Sequence, residues 1–390
     1  MKKHISIFCA VFASAIFALV CCNEPVFWSI SQAVEPADPR IEGGPTNFAV
    51  FKDAVYVATG SSLHKYTGGN SEGWNNDIPP GGRIVQIAST GEYLFALCYR
   101  QSSSNIAENT VLKRFDGGKW EELEGSGIQQ IYAAGDKLFF GTGSSSSFTL
   151  HYVDNSETPS VKNLTGENVT GDLRGAAFDG TDNYICTTNN GVFRMNSTSG
   201  EAVSIPILSD GEEKKSSSEK FTGMINLGGA SNTILLITRN GRLFTVKGDN
   251  LESVENVSLG NRMSTGALAI WIDKDDDSKR LLLAGRQDSL VYSVNSGYTY
   301  GYLELELDYN GVNGIKAESQ FREPGIRTPS SVIDGDNERY KSTIGKYPVN
   351  FIFQTPQSIE SDMILFASTQ KNGVWSYRQR KGGPQWNAEE

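Results

Sequence analysis

The sequence predicts an all-β fold, a seven-bladed β-propeller of four-stranded blades, and three observations carry that expectation. A unit of four short apolar or alternating runs recurs seven times along the chain. The strongest run of each unit is almost continuously apolar, as a strand buried on both faces should be. Turn-forming Asp116-Gly117-Gly118, Asn190-Gly191, Asn240-Gly241 and Asn372-Gly373 punctuate the units, and no long helical period interrupts them.

The chain has 390 residues, which as unrelated segments would make two or three domains. The repeat overrides that count. Anchors of the second run at Val57, Phe95, Phe139, Ile185, Leu235, Leu282 and Leu365 are spaced by 38, 44, 46, 50, 47 and 83 residues, blade-sized except for the last. First runs precede them at Phe48–Phe51, Ile84–Ala88, Ile128–Ala133, Leu173–Phe178, Phe221–Leu227, Ala267–Ile272 and Val349–Gln354. Third runs follow at Leu63–Tyr66, Val111–Phe115, Leu150–Val153, Val192–Met195, Leu243–Val246, Leu290–Val294 and Val374–Tyr377. Closing strands fall near Trp74, Trp120–Leu123, Val161–Leu164, Ala202–Ile205, Leu251–Val254 and Tyr302–Leu307. A lone four-stranded blade cannot cover both its faces, so blades stack around an axis. The last outer strand comes either from Pro384-Gln385-Trp386 or from Val26–Ile30. The wide final spacing marks an insertion at 309–347, polar and long enough to be functional or disordered.

Residues 1–21 read as a secretory signal rather than as fold. Lys2 and Lys3 precede an apolar stretch from Ile5 to Val20 that is short for a membrane span. Leu19-Val20-Cys21-Cys22 resembles a bacterial lipobox, with Cys22 the lipidated residue and Cys21 the alternative. Cys21 stands where Gly, Ala or Ser is usual, and Cys22 puts Leu19 at the aliphatic position. Residues 22–45, polar and carrying Pro25, Pro36 and Pro39, then form a tether between membrane and the domain at 46–390. Acyl chains such as palmitate supply the anchor, at about 0.8 kcal/mol per buried CH₂.

The net charge is −10, and losing Lys2 and Lys3 with the signal brings it to about −12. Phosphate backbones are repelled by such a chain, and no basic stripe offsets it, so no nucleic-acid partner is expected. Cys98 and Cys186 fall in non-adjacent blades and read as buried, unbridged thiols. His4 leaves with the signal, and His64 and His151 lie on third strands, too few for a histidine metal site. Nucleophile-elbow, phosphate-loop and dinucleotide motifs are missing, so neither a catalytic set nor a cofactor is expected. Asp273, Asp275 and Asp277 alternate like the start of a calcium loop, but Ser278 replaces its glycine and Ala284 its glutamate. A solvated turn is the simpler reading.

Four cations, Arg100, Arg239, Arg286 and Lys371, stand in or beside the connection after the second run of their units. On a ring these connections share one face. The four would form a basic rim there on an otherwise acidic protein, drawing an anionic group, although ordinary loop solvation explains the same residues.

The Cys21-Cys22 signal together with Asn190-Gly191-Val192-Phe193 and Lys371-Asn372-Gly373-Val374-Trp375 resembles treponemal propeller lipoproteins. That resemblance covers the signal and the style of the repeats and carries over no binding residue. It implies a monomeric, membrane-anchored protein of the cell envelope, at the outer membrane or cell surface, that binds protein such as host fibronectin or laminin as an adhesin. A periplasmic envelope-assembly scaffold is the alternative, and a polysaccharide-active enzyme a third.

Overall fold

The computed structural model describes residues 41–68, 73–100, 109–143, 148–166, 169–227, 233–258, 263–272, 279–286, 302–308, 321–322, 348–380 and 383–389. Among them, the strands form seven sheets taken in chain order. Sheet one holds β1 (Ala49–Phe51), β2 (Ala54–Thr59), β3 (Ser62–Tyr66) and β4 (Asn75–Asp77). Sheet two holds β5 (Arg83–Ser89), β6 (Leu94–Tyr99), β7 (Thr110–Phe115) and β8 (Trp120–Ser126). Sheet three holds β9 (Ile128–Ala134), β10 (Lys137–Thr142), β11 (Thr149–Asp154) and β12 (Lys162–Asn163). Sheet four holds β13 (Leu173–Phe178), β14 (Asn183–Thr188), β15 (Gly191–Asn196) and β16 (Ala202–Ser204).

A hairpin of β17 (Ile207–Ser209) and β18 (Glu212–Lys214) follows. Sheet five holds β19 (Phe221–Asn226), β20 (Ile234–Thr238), β21 (Arg242–Lys247) and β22 (Asn250–Ser258). The hairpin joins it, β17 lying parallel to β22 through Ile207–Leu251 and Leu208–Glu252, which makes six strands. The sequence reading missed this pair because strands of three residues leave no measurable period. Sheet six holds β23 (Met263–Ile272), β24 (Lys279–Arg286), β25 (Tyr302–Asp308) and β26 (Phe321–Arg322), and sheet seven β27 (Val349–Gln354), β28 (Leu365–Thr369), β29 (Val374–Arg380) and β30 (Gly383–Ala388).

Within each four-strand set neighbours are antiparallel and consecutive, so each sheet is a meander. The second strands are buried along nearly their whole length, in β2, β6, β10, β14, β20 and β28. That is the burial their unbroken apolar runs require. Sheet six departs from the expected register. Tyr302–Asp308, expected as the closing strand, is the third strand, pairing Leu282 with Leu305. Leu303, Leu305 and Leu307 alternate with Glu304 and Glu306, the period-2 pattern of a half-buried strand, and the pairing with β24 makes it the third. The fourth is Phe321–Arg322, which sits inside the stretch expected as an insertion at 309–347. Leu290–Val294 lies outside the described residues.

Facing sheets bury a chain of apolar layers. Ala49, Phe51 and Tyr56 meet Ile87, Ala96 and Phe115 between sheets one and two. Leu97 and Leu112 meet Ile131 and Phe140 between two and three, and Phe139 and Leu150 meet Tyr184 and Phe193 between three and four. Ile185 and Val192 meet Leu236 and Phe244 between four and five, and Ala269 meets Ile352 and Ala367 between six and seven. The strands β19 and β23 put sheets five and six in contact. The last layer returns to the start: Ile364, Phe366 and Val374 of sheet seven or its edges pack on Phe48, Val57, Tyr66 and Trp74. The sheets therefore close into a ring, with the first strand of each innermost.

Ring closure uses the C-terminal choice. Strand β30 pairs with β29, Trp386 opposite Tyr377, as the outer strand of sheet seven; Val26–Ile30 lies outside the described residues. An N-terminal strap reinforces the junction. Gly373 N–H donates to the Gly43 carbonyl at 2.8 Å, Val374 N–H to that of Ile41 at 3.2 Å, and Ser368 Oγ to that of Pro45 at 2.7 Å. Ile41 is completely buried. A Cβ on Gly44 would stand 2.6 Å from the Gln370 carbonyl oxygen, so the strap needs glycine there. Packed structure thus reaches back to Ile41, ahead of the expected start at Thr46.

Side-chain amides clasp the free inner edges. Asn47 Nδ2 donates to the Ile87 carbonyl at 2.6 Å while its Oδ1 accepts Ile87 N–H at 3.1 Å. Gln86 makes the same two bonds with Ile131, at 2.6 and 2.9 Å, and Gln354 with Ile272, both at 2.8 Å. Asn226 Nδ2 reaches the Phe178 carbonyl at 3.0 Å. Each clasp lets one sheet satisfy the edge backbone of its neighbour, which would otherwise stand unpaired.

Candidate functional site

Antiparallel alternation sorts the connections onto two ends of the ring. Turns between first and second strands, and between third and fourth, lie at one end; turns between second and third strands, and the links from one sheet to the next, lie at the other. Hydrogen bonds confirm the second grouping. The residue after the second strand donates to the residue before the first: Asn189 to Asp172 at 3.0 Å, Arg239 to Lys220 at 2.7 Å and Gln370 to Pro348 at 3.0 Å. Ile84 N–H likewise reaches the Gly60 carbonyl at 2.7 Å across the link from sheet one to sheet two.

Of the four cations expected on a shared rim, Arg239 and Lys371 are exposed at this second-turn end and have no ion-pair partner among the described residues. Arg100 stands in the equivalent turn of sheet two, but its guanidinium grips Glu122 on β8, so its charge is locally answered. Arg286 ends β24, opposite Met263, and its side chain lies outside the described residues. The fold adds cations that the sequence reading did not select. Lys220 sits beside Arg239 through their backbone bond, and Arg83 is exposed where the chain returns from sheet one to sheet two. Both lie just before first strands, so the signal was available in the links between units. Arg174 and Arg242 at the same end are paired with Asp172 and Glu219.

The opposite end is carboxylate-rich. Asp53, Glu92, Asp136, Asp179 and Asp182 occupy the turns between first and second strands of the first four sheets. Asp116, Glu157, Glu201 and Asp249 follow third strands at that end. Cations also stand among these turns, at Lys52, Lys119, Lys137, Lys162 and Lys247, with Lys162 paired to Asp154 at 2.7 Å. Several carboxylates shape their own turns: Asp116 accepts Gly118 and Lys119 N–H at 2.7 and 2.9 Å, and those bonds hold its carboxyl below the usual range. The aspartates Asp273, Asp275 and Asp277, in the connection from β23 to β24, lie outside the described residues.

Groups able to do chemistry are engaged in structure. His151 is clasped between Thr142 Oγ1 at 2.7 Å and Asn163 Oδ1 at 2.8 Å, and burial lowers its pKa. His64, largely buried, bonds Thr59 Oγ1 at 3.0 Å. Cys98 and Cys186 are free, buried thiols, as expected. Desolvation pushes Cys98 up to about 11 and raises Cys186 further. Their native pKa values lie above the unfolded value of about 8.5, so the stability they contribute is full below it and falls as pH rises past it. Thiol alkylation of native protein at neutral pH is expected to leave both peptides unmodified and to modify both after unfolding. Fast labelling of native Cys186, read by peptide mass, would contradict its burial. Among the described residues no group of three His, Cys, Asp or Glu side chains is placed to hold a metal ion.

A groove of about 430 Å³ separates the outer strands of sheets four and five, walled by Arg194, Val203, Glu213, Asp249 and Asn250 among others. Arg194 crosses it, binding the Asp249 carboxylate and the Gly248 carbonyl. This bridge ties the two outer edges together and leaves Val203 projecting, 63% exposed.

A closed ring of antiparallel meanders with two turn-bearing ends defines the chain as a β-propeller. Neither a protein-family model nor a curated protein sequence matches it. Solved structures do, at the level of fold. A streptogramin B lyase is 10% identical, with a TM-score of 0.54 over 88% of this chain and 96% of that one. YCF48 bound to D1 peptide is 13% identical, with a TM-score of 0.50 over 90% and 96%. A chain of the mitotic checkpoint complex is 9% identical, with a TM-score of 0.53 over 89% and 96%.

Proposed function

We propose that this chain is an exported lipoprotein, held to the cell envelope by acyl chains on Cys22, whose propeller binds a protein partner rather than catalysing a reaction. The observation that carries the reading is the division of labour in the ring. Its described thiols are buried and its described imidazoles are hydrogen-bonded within sheets, while among the described residues exposed Arg83, Lys220, Arg239 and Lys371 mark one end and a run of turn carboxylates the other. The Leu19-Val20-Cys21-Cys22 signal supports the anchor. That YCF48 and the checkpoint chain occur with a peptide and in a multi-protein complex supports protein binding as a use of this fold. The partner we favour is a host extracellular-matrix protein met at the cell surface.

Two measurements test the parts. Cys22→Ser is expected to abolish incorporation of labelled palmitate into the protein, and Cys21→Ser to leave it in place. Protease treatment of intact cells, followed by immunodetection beside a periplasmic control, is expected to remove the protein and spare the control. Protection until the envelope is broken would sink surface display and put an envelope-assembly scaffold in its place.

A further inference from the structure

The two ends of the ring differ not only in charge but in where the chain joins them. The strap Ile41–Pro45 runs against the turn Asn372–Gly373, between the second and third strands of sheet seven. The N-terminal segment therefore meets the ring at the cationic end, beside Lys371. Cys22 lies only nineteen residues before Ile41, a reach of at most about 65 Å when fully extended. Such a tether keeps the ring close to the membrane, yet it is long enough for either end to turn inward. Charge then chooses. Lys220, Arg239 and Lys371 are exposed and without ion-pair partners among the described residues, and with Arg83 they outnumber the carboxylates Glu42 and Asp77 there, Asp172 and Glu219 being paired with Arg174 and Arg242, whereas the far end bears a carboxylate in turn after turn.

We propose that the second-turn end rests on anionic phospholipid headgroups of the leaflet carrying the anchor, so that the carboxylate-rich end is presented away from the membrane. This orientation rests on acylation of Cys22. Each cation near an anionic surface adds about fivefold to the preference, so three favour this pose by on the order of a hundredfold at modest salt. The acidic end, turned inward, would be repelled by the same field. A partner reached in this pose meets the acidic end first and is matched to it by basic residues.

The test uses the acylated chain reconstituted in vesicles of phosphatidylcholine alone or with added phosphatidylglycerol. A membrane-impermeant amine reagent is applied, and lysine labelling is read by peptide mass, with the acyl group on Cys22 checked in the same digest. With phosphatidylglycerol, Lys220 and Lys371 are expected to label at least several-fold more slowly than on phosphatidylcholine, while Lys52 and Lys119 at the far end are unchanged. Added salt should erase the difference, and Arg239→Glu should lower the protection of both lysines. Equal labelling of the two ends on phosphatidylglycerol overturns the proposal. So does equal protection on both lipids, which would point to the strap rather than charge. Protection in cells but not on vesicles overturns it in favour of a protein contact. An unacylated Cys22 instead refutes the anchoring reading; the processed chain mixed with phosphatidylglycerol vesicles then gives the same footprint, and unprotected Lys220 and Lys371 refute the docking face itself.

Discussion

Replacing Phe366 with alanine is expected to cost about 3–5 kcal/mol of unfolding free energy, because it empties the junction where the ring closes. Phe366 is fully buried in β28. Its ring lies 4.9 Å from that of Trp74, 5.1 Å from Tyr66 and 5.9 Å from Phe48, centroid to centroid. Sheet seven is made of C-terminal strands, and among the described residues no ladder of strand hydrogen bonds joins it to sheet one. This aromatic cluster and the Ile41–Pro45 strap hold the seam instead. The loss is read as a lower urea midpoint with unchanged slope. Phe140→Ala, in the layer between sheets two and three, should cost a similar amount. Only Phe366→Ala should speed amide exchange first in β2 and β28. A loss under about 1 kcal/mol, the range of ordinary surface changes, would mean that the seam is not packed as described.

The second large effect is expected at Gln86. Leucine has its length without its amide, so Gln86→Leu strips partners from both the N–H and the carbonyl of Ile131, itself completely buried. Each buried backbone group left unsatisfied costs about 1–3 kcal/mol, giving a combined loss of about 2–6 kcal/mol. Gln129→Leu is the comparison. Gln129 is exposed and makes a single 3.2 Å bond to the Gly143 carbonyl, so its replacement should stay within about 0.5 kcal/mol. Equal midpoints for the two variants would show that the clasp adds nothing to the ring.

Most strands were legible in the sequence, for a local reason. A strand covered on both faces must be apolar at every position, and runs such as Ala54–Thr59 and Ile234–Thr238 match observed strands residue for residue. The clasps were not legible. Gln86 and Gln354 look like ordinary polar residues of half-buried strands, and their partners lie 45 and 82 residues away. Sheet six was misread for a related reason: the composition of Tyr302–Asp308 fits a third or a fourth strand equally, and only its pairing with β24 decides. The candidate rim was half legible. Position after a second run points to Arg239 and Lys371 on a common end, but it could not reveal that Glu122 answers Arg100 from the adjoining strand, or that Lys220 stands beside Arg239.

The sequence by itself determined the all-β class, the repeating four-strand unit, the burial of Cys98 and Cys186, and the acidity of the whole. These properties follow from composition and period within stretches of a few residues. Tertiary structure alone decided that the C-terminal strand closes sheet seven, that a strap from Ile41 seals the seam, and that, among the described residues, the turns opposite the cationic end are rich in carboxylates. Those outcomes depend on which distant residues meet once the ring closes, and a chain read one unit at a time holds no record of that meeting.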